Sequence, residues 1–395
     1  MTHFRFLTAG ESHGKGLTCI IEGVPAGLPL QESDIAPDLA RRQGGYGRGG
    51  RMKIEKDHAE ITSGVRHGRT LGSPIALWIQ NRDWANWTEK MAVEPVETEI
   101  ERVTRLRPGH ADLPGTLKYA FDDVRNVLER ASARETAARV AVGAVARRFL
   151  AEFGVTIRSH TLAIGGVRSP ITSLTEPIDW EAVESSPVRC PDPAATEAMI
   201  AAINAAKPHG DTVGGEIEVR AFGLPPGLGS HVHWDRRLDG RIAQAILSIN
   251  AFKAVSLGLG FEVAALRGSQ VHDVILPVDQ WQGQPWRHAT NNHGGIEGGI
   301  TTGEPLIVRA AIKPIPTLAH PLPSVDLDTG QEVLAHYERS DVCVVPAGGV
   351  VAEAMVAIVL ADAWLEKFGG DTLEETRRNY LAYLETIGPR RRTSE

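Results

Sequence analysis

Cysteine is scarce in this chain. Only Cys19, Cys190 and Cys343 occur among 395 residues, an odd number with no Cys-x-x-Cys pair. A disulfide framework and a cysteine zinc site are therefore not expected, and a reducing compartment fits. A surplus of positive charge is also lacking, since the formal net charge is −7. A nucleic-acid binder would carry a basic footprint, so no such partner is expected. Met1-Thr2-His3-Phe4-Arg5-Phe6 holds no apolar signal core, so an export leader is not expected. No apolar run approaches the length of a bilayer span, which argues against a membrane protein. Together these absences point to a cytoplasmic location. No low-complexity segment or short repeat breaks the chain.

The composition, 42% hydrophobic and 23% charged, is that of a soluble globular protein. Strand-rich and helix-rich stretches occur in both halves. The expectation is one intertwined α+β domain over 1–395, with a peripheral excursion at about 168–195 and a tail at about 388–395. Phe4, Phe6 and Thr8 alternate as in a strand, and 17–24, 73–80, 216–221 and 306–312 read as further strands. Residues 52–65 resemble a hairpin. Helices are expected over 32–42, from Ser132 to about Gly154, over 235–250, and over 350–368. Ser132 and Glu135 fit a capping box. The last helix is apolar nearly all round and should be buried on most sides.

Arginine is bunched although the chain is acidic. One cluster holds Arg41, Arg42, Arg48 and Arg51, a second Arg102, Arg105 and Arg107, and a third Arg125, Arg130 and Arg134. Guanidinium binds carboxylate and phosphate through paired hydrogen bonds, so a small polyanionic ligand is implied. Two histidines lie in glycine-bearing polar segments among these clusters. They are His13 in Gly10-Glu11-Ser12-His13-Gly14 and His110 in Arg107-Pro108-Gly109-His110-Ala111-Asp112. Such segments let a ligand approach the backbone, and imidazole moves protons near neutral pH.

Several motifs fail on inspection. Residues 9–16 approach a phosphate-binding P-loop, but Gly16 stands where a hydroxyl should hold magnesium. Gly45-Tyr46-Gly47-Arg48-Gly49-Gly50 follows a helix rather than a strand, the wrong order for a dinucleotide fold. It reads as a ligand loop. His231-Val232-His233 lacks an obvious third ligand, and no metal ligands are assigned. Three other segments survive. Residues 129–136 place arginines and a serine at a helix start, a natural anion site. The glycine-dense run Asn292 to Gly299 suits close approach to a flat ligand. Lys313-Pro314-Ile315-Pro316-Thr317 is a stiff loop with one cation and one hydroxyl.

Taken together, these segments resemble the chorismate synthase family in its compact bacterial form. The resemblance runs from Phe4 to about Phe368, carried by residues 10–14, 107–112, 130–136, 248–251, 293–299 and 313–314. It implies a β-α-β sandwich, with helices between two antiparallel sheets, assembled as a homotetramer. It also implies conversion of 5-enolpyruvylshikimate 3-phosphate to chorismate and phosphate, a 1,4-anti elimination that closes the shikimate pathway. The family requires reduced FMN without net redox change, and NADPH acts through a separate flavin reductase.

By the same resemblance, His13 serves the departing phosphate as general acid. His110 lies by the flavin, and Asp341 assists removal of the ring proton. FMN contacts are expected from Arg130, Ala131, Ser132, Asn250, Ala251, Gly298, Lys313, Pro314, Ile315, Pro316, Thr317 and Arg339. Arg42, Arg48, Arg51, Arg107 and Arg134 are expected to meet substrate or NADP. Ala131 stands where many members have serine. From the residues alone, a non-catalytic anion- or nucleotide-binding protein and an ordinary flavin oxidoreductase stay open.

Overall fold

Alternation of apolar and polar residues builds the first sheet. The computed structural model describes residues 3–49, 56–277, 286–338 and 340–388. Within them the chain begins with β1 (Arg5–Ala9), β2 (Gly16–Glu22), α1 (Glu32–Gln43), β3 (Ala59–Ser63), β4 (Val65–Arg66), β5 (Arg69–Thr70) and β6 (Ile75–Gln80). Next come α2 (Asp112–Tyr119), α3 (Arg125–Ala131), α4 (Thr136–Ala151), β7 (Thr156–Ile164), β8 (Val167–Arg168), α5 (Trp180–Ser185), α6 (Pro193–Ala206) and β9 (Gly215–Phe222). The chain continues through α7 (Leu238–Leu247), β10 (Phe252–Leu257), α8 (Gly268–Val271), β11 (Ile275–Pro277), β12 (Trp286–His288), β13 (Ile296–Glu297) and β14 (Ile300–Thr301). It closes with β15 (Leu306–Ile312), β16 (Pro323–Val325), β17 (Glu332–Leu334), α9 (Val345–Phe368) and α10 (Leu373–Thr386).

Two antiparallel sheets dominate, a four-stranded one in the order β1-β2-β6-β3 and a five-stranded one in the order β10-β15-β9-β7-β8. In the first, Leu17, Cys19 and Ile21 of β2 and Ile75, Leu77 and Ile79 of β6 all turn to one buried face. That is the period-two signature of a sheet covered on one side. Helix α4 packs against β2 and α9, and α9 packs against β7 and β9. The helices meet closely because Gly143 has no side chain. A Cβ there would stand 2.3 Å from the Cβ of Ala354. At the other face of α9, a Cβ on Gly349 would fall 2.8 Å from Ser159 Oγ.

Helix α9 is long and apolar enough to cross a membrane, against the sequence reading that no run approaches that length. It is buried along nearly its whole length, which is how a core helix passes the same test. It begins at Val345, five residues before the expected start, with Pro346 in its first turn where a missing N–H costs no bond. Near its other end, Asp362 accepts hydrogen bonds from the backbone N–H groups of His3 (2.5 Å) and Phe4 (2.8 Å). The last core helix thus pins the start of the first strand.

Three further expectations change. Strand β3 pairs with β6, and the tight hairpin is β4–β5 at 65–70; residues 52–55 lie outside the described set. The capping box at Ser132 does not form. Ser132 accepts from the Arg134 N–H, but Glu135 turns to Thr8 and Arg139, so a 3-10 turn precedes the helix proper. The segment over 168–195 is not purely peripheral. Arg189 from it donates to Ser159 O and reaches Glu353 in α9, because Glu353 is buried and needs cations. Arg41 and Arg147 complete that cluster.

Candidate active site

The loop between β1 and β2, the starts of α2 and α4, the strand end at Asn250 to Lys253 and the 313–317 loop enclose one cavity of about 550 Å³. That size suits small-molecule ligands, which occupy roughly 300–1,000 Å³. Apolar side chains including Leu128, Ile249, Phe252, Ile312 and Val351 line part of it. Cations crowd the remainder: Arg42, Arg48, Arg107, Arg134, Lys253 and Lys313.

His13 enters from the β1–β2 loop. Its Nδ1 lies 2.9 Å from each oxygen of Glu129, and its backbone N–H donates to the same carboxylate at 2.8 Å. Ser12 N–H donates to Glu129 O at 3.0 Å. A carboxylate only accepts, so Nδ1 carries the proton and Nε2 is left for a ligand. Trp87 stacks on the imidazole, with ring centroids 3.8 Å apart. Arg125 lies over the Trp87 ring, and its guanidinium donates to Glu129 at 2.9 Å. The ring of His13 is held by one bond and one stacking surface.

His110 sits at the other side, before α2. Its Nδ1 lies 2.5 Å from Asp112 Oδ1. Arg107 Nη2 is 3.2 Å from the same nitrogen, but a guanidinium only donates. The shorter contact therefore fixes the proton on Nδ1, donated to Asp112. Arg107 donates to both Asp112 oxygens, at 2.8 and 3.0 Å. Burial alone would raise the Asp112 carboxyl, yet hydrogen bonds from His110 and Arg107 hold it down at about 2. Asp112 is a permanent anion that orients His110 and Arg107 together.

Arg42 and Arg134 share a third carboxylate. Asp57 receives Arg134 at 2.5 Å and Arg42 at 3.4 Å, with its side chain fully buried. Arg42 also donates to Thr136 Oγ1 and Ala133 O, each at 3.0 Å. Asp341 accepts from Gly49 N–H at 2.5 Å and pairs with Arg48 at 3.2 Å. It thereby ties the 44–49 glycine loop to the basin. Lys313 donates to Gly109 O. Burial, then the neighbouring Lys253, pushes the Lys313 ammonium below its ordinary value. Ala251 adopts a left-handed φ of 70° and accepts from Lys313 N–H. A non-glycine residue held there is strained. The buried Asn250 Oδ1 has no hydrogen-bond partner, while its amide nitrogen donates to Ala131 O at 2.9 Å.

The cavity gathers most of the residues expected from the sequence: His13, His110, Asp341, Arg42, Arg48, Arg107, Arg134, Ala131, Ser132, Asn250, Ala251, Lys313, Ile315, Pro316 and Thr317. Arg130, Pro314 and Gly298 do not line it. Arg130 turns instead to Gly10 O and to Thr8. Gly298 forms the β13–β14 turn at φ 58°, away from the basin of the single chain. Arg51 and Arg339 lie outside the described residues. Sequence reasoning missed Asp57, Trp87, Lys253 and Glu338, and gave Glu129 and Asp112 no role.

The pattern of this site has relatives. A family model described as chorismate synthase matches residues 4–365. The chain belongs to the chorismate synthase family. It is 60% identical to the chorismate synthase of Moorella thermoacetica over 389 residues, 97% of this chain and 100% of the relative. It is 55% identical to that of Aquifex aeolicus, covering 98% and 99%. A crystal structure of chorismate synthase aligns with a TM-score of 0.77 at 47% identity, over 97% of this chain and 98% of the other.

Proposed function

We propose that the cavity seats reduced FMN and 5-enolpyruvylshikimate 3-phosphate together, and that its residues serve the elimination of phosphate. The activity itself comes with the family: chorismate synthase, a carbon–oxygen lyase of the shikimate pathway. The family carries a general requirement for reduced flavin. The donor set here fits such a group. A flat, partly polar ring system suits an apolar wall bearing a stranded acceptor, Asn250 Oδ1, that a ligand N–H would satisfy. Ala131, Ser132, Lys313, Ile315, Pro316 and Thr317 would contact it. When bound, the reduced flavin supplies the electron density that lets the carbon–oxygen bond break.

The observation that carries this reading is six cations and two oriented imidazoles around one cavity. A substrate with two carboxylates and a phosphate is their complement. As an imidazolium, with Glu129 accepting from Nδ1–H, His13 would give its Nε2 proton to an oxygen of the departing phosphate and keep the Nδ1 proton. Its platform on Trp87 keeps the ring aimed without a second bond. His110 Nε2 would face the flavin, with Asp112 fixing the opposite nitrogen. Asp341 would receive the ring proton, but both its oxygens are engaged by Arg48 and Gly49. A substrate anion that takes Arg48 would release that carboxylate for the step. Arg42, Arg107 and Arg134 would neutralise anionic groups, and Arg51 and Arg339 are candidates for the same work.

Cytoplasmic location, a homotetramer and a separate NADPH-dependent flavin reductase belong to the same reading. So does the β-α-β sandwich, which the packing of α4 on β2 and of α9 on β7 and β9 supports.

The test is anaerobic incubation with the phosphorylated substrate and reduced FMN. Chorismate and phosphate should appear in equal amounts, without matching consumption of NADPH. Undiminished turnover by protein shown to be free of flavin would remove the cofactor from the reaction.

A further inference from the structure

Outside the basin, the structure draws together a second set of ligating side chains. Asp273 follows α8, His293 lies in the glycine loop after β12, and Glu297 belongs to β13. One ligand atom from each falls within 4.8 Å of the others. A fourth group adjoins them, for His272 Nδ1 lies 3.4 Å from His293 Nε2. The two rings are parallel within 6°.

We propose that Asp273, His293 and Glu297, with His272 at their edge, form a binding site for a borderline-soft divalent cation of the Zn²⁺ type.

Three features carry the assignment. The first is the spacing of the imidazoles. Zinc–nitrogen bonds of about 2.0–2.1 Å at the tetrahedral angle place two ligand nitrogens roughly 3.3–3.4 Å apart. Without a cation, one proton can bridge the facing nitrogens at this spacing. A divalent ion replaces that proton and gains both lone pairs.

The second is preorganisation. Asp273 is buried and accepts from the backbone N–H groups of Asn292 at 2.8 Å and His293 at 3.0 Å, and from Thr290 Oγ1 at 2.5 Å. Its Oδ2 carries only the His293 N–H, which leaves a lone pair to coordinate. The backbone of the ligating histidine is thus fixed by the carboxylate that would share its metal. Such outer contacts orient ligands and raise affinity.

The third is freedom of adjustment. Glu297 is exposed and makes no ion pair among the described residues. It can swing to close the ligand set at little cost. A mixed imidazole and carboxylate set favours zinc-like ions over calcium or magnesium, which prefer oxygen alone.

The experiment is calorimetric titration of the chelator-treated full chain with ZnCl2, followed by visible absorption of the Co²⁺-loaded protein. One saturable equivalent per chain is expected, with the intense bands of four-coordinate cobalt. Affinity should fall at least ~10-fold in His293→Ala and in Glu297→Gln. It should be unchanged in His233→Ala, which removes part of the other histidine pair. Glu297→Gln alters only an exposed side chain, so its result stands even if His293→Ala misfolds. Equal affinity in wild type and Glu297→Gln, loss of binding in His233→Ala, or no saturable heat with ZnCl2 would each overturn the assignment.

Discussion

Glu129 holds His13 by two groups at once, accepting from its backbone N–H at 2.8 Å and from its imidazole Nδ1 at 2.9 Å. A single buried carboxylate therefore sets both the position of the loop and the tautomer of the ring. Glu129→Gln keeps the size of the side chain but offers only one acceptor. Turnover in this variant should fall, within the roughly 10²–10⁴-fold that a positioned acid contributes. KM should change little, because the arginines proposed to bind substrate are untouched. Steady-state rates of chorismate formation under anaerobic conditions check this, and wild-type kcat would dismiss Glu129 as an orienting group.

Asp57 sits between Arg42 and Arg134, and its removal leaves two buried guanidiniums facing each other. Asp57→Asn should lower stability by roughly 3–5 kcal/mol, the cost of breaking a buried pair. Inorganic phosphate should restore more of the melting temperature in the variant than in the wild type, since it binds the folded state alone. Thermal melts with and without phosphate measure both effects. An equal phosphate response in the two proteins would mean that these arginines do not face the anion.

Acid should destabilise the fold through four carboxylates. Asp112, Glu184, Glu218 and Glu338 each lie at about 2 in the folded chain. Burial opposes their charge, but hydrogen bonds from histidine or arginine partners outweigh it. Each is lower folded than unfolded, so its stabilisation is complete above the ordinary carboxylate range. It is lost as pH falls from about 4 toward 2. Denaturant midpoints should stay nearly level from pH 7 to 5 as far as these groups are concerned, and drop below that. Glu218→Gln should show a shallower fall across the same window.

Gly143 permits the close approach of α4 and α9. Gly143→Ala places a Cβ 2.3 Å from that of Ala354, and overpacking of this kind costs about 1–3 kcal/mol. The loss should exceed the gain in helix propensity, which favours alanine by roughly 1 kcal/mol. A lower urea midpoint at unchanged slope is the expected result.

Local signals in the sequence reached as far as local structure does. The strand at β1 follows from alternation and those at β2, β6, β9 and β15 from short strand-like segments, while α1 and the all-round apolar α9 are runs that end in glycine. Arg42, Arg48, Arg107 and Arg134, at least one from each arginine cluster, and both glycine-bound histidines are gathered at one cavity because their segments already differed from core and from ordinary loop. Glu129 and Asp57 were not legible for a different reason. Each acts through partners far along the chain, with Glu129 separated from His13 by 116 residues. Nothing in the spacing of a lone carboxylate tells which guanidinium it will neutralise. The capping box failed on the same ground: Glu135 had a competing arginine one helical turn away. Gly298 and Arg130 carried family motifs, yet a motif does not fix which surface its residues face.

The bond from Asp362 to the start of β1 has a consequence for how the chain is made. Its partners lie 358 and 359 residues apart. At about 5–20 residues per second, the first strand leaves the ribosome roughly 20–70 s before the carboxylate that anchors it. Throughout that interval the side of α4 that packs on α9 waits for a helix not yet synthesised. A nascent chain halted before Val345 should be a strong client for chaperones, and one released after Phe368 a weak one.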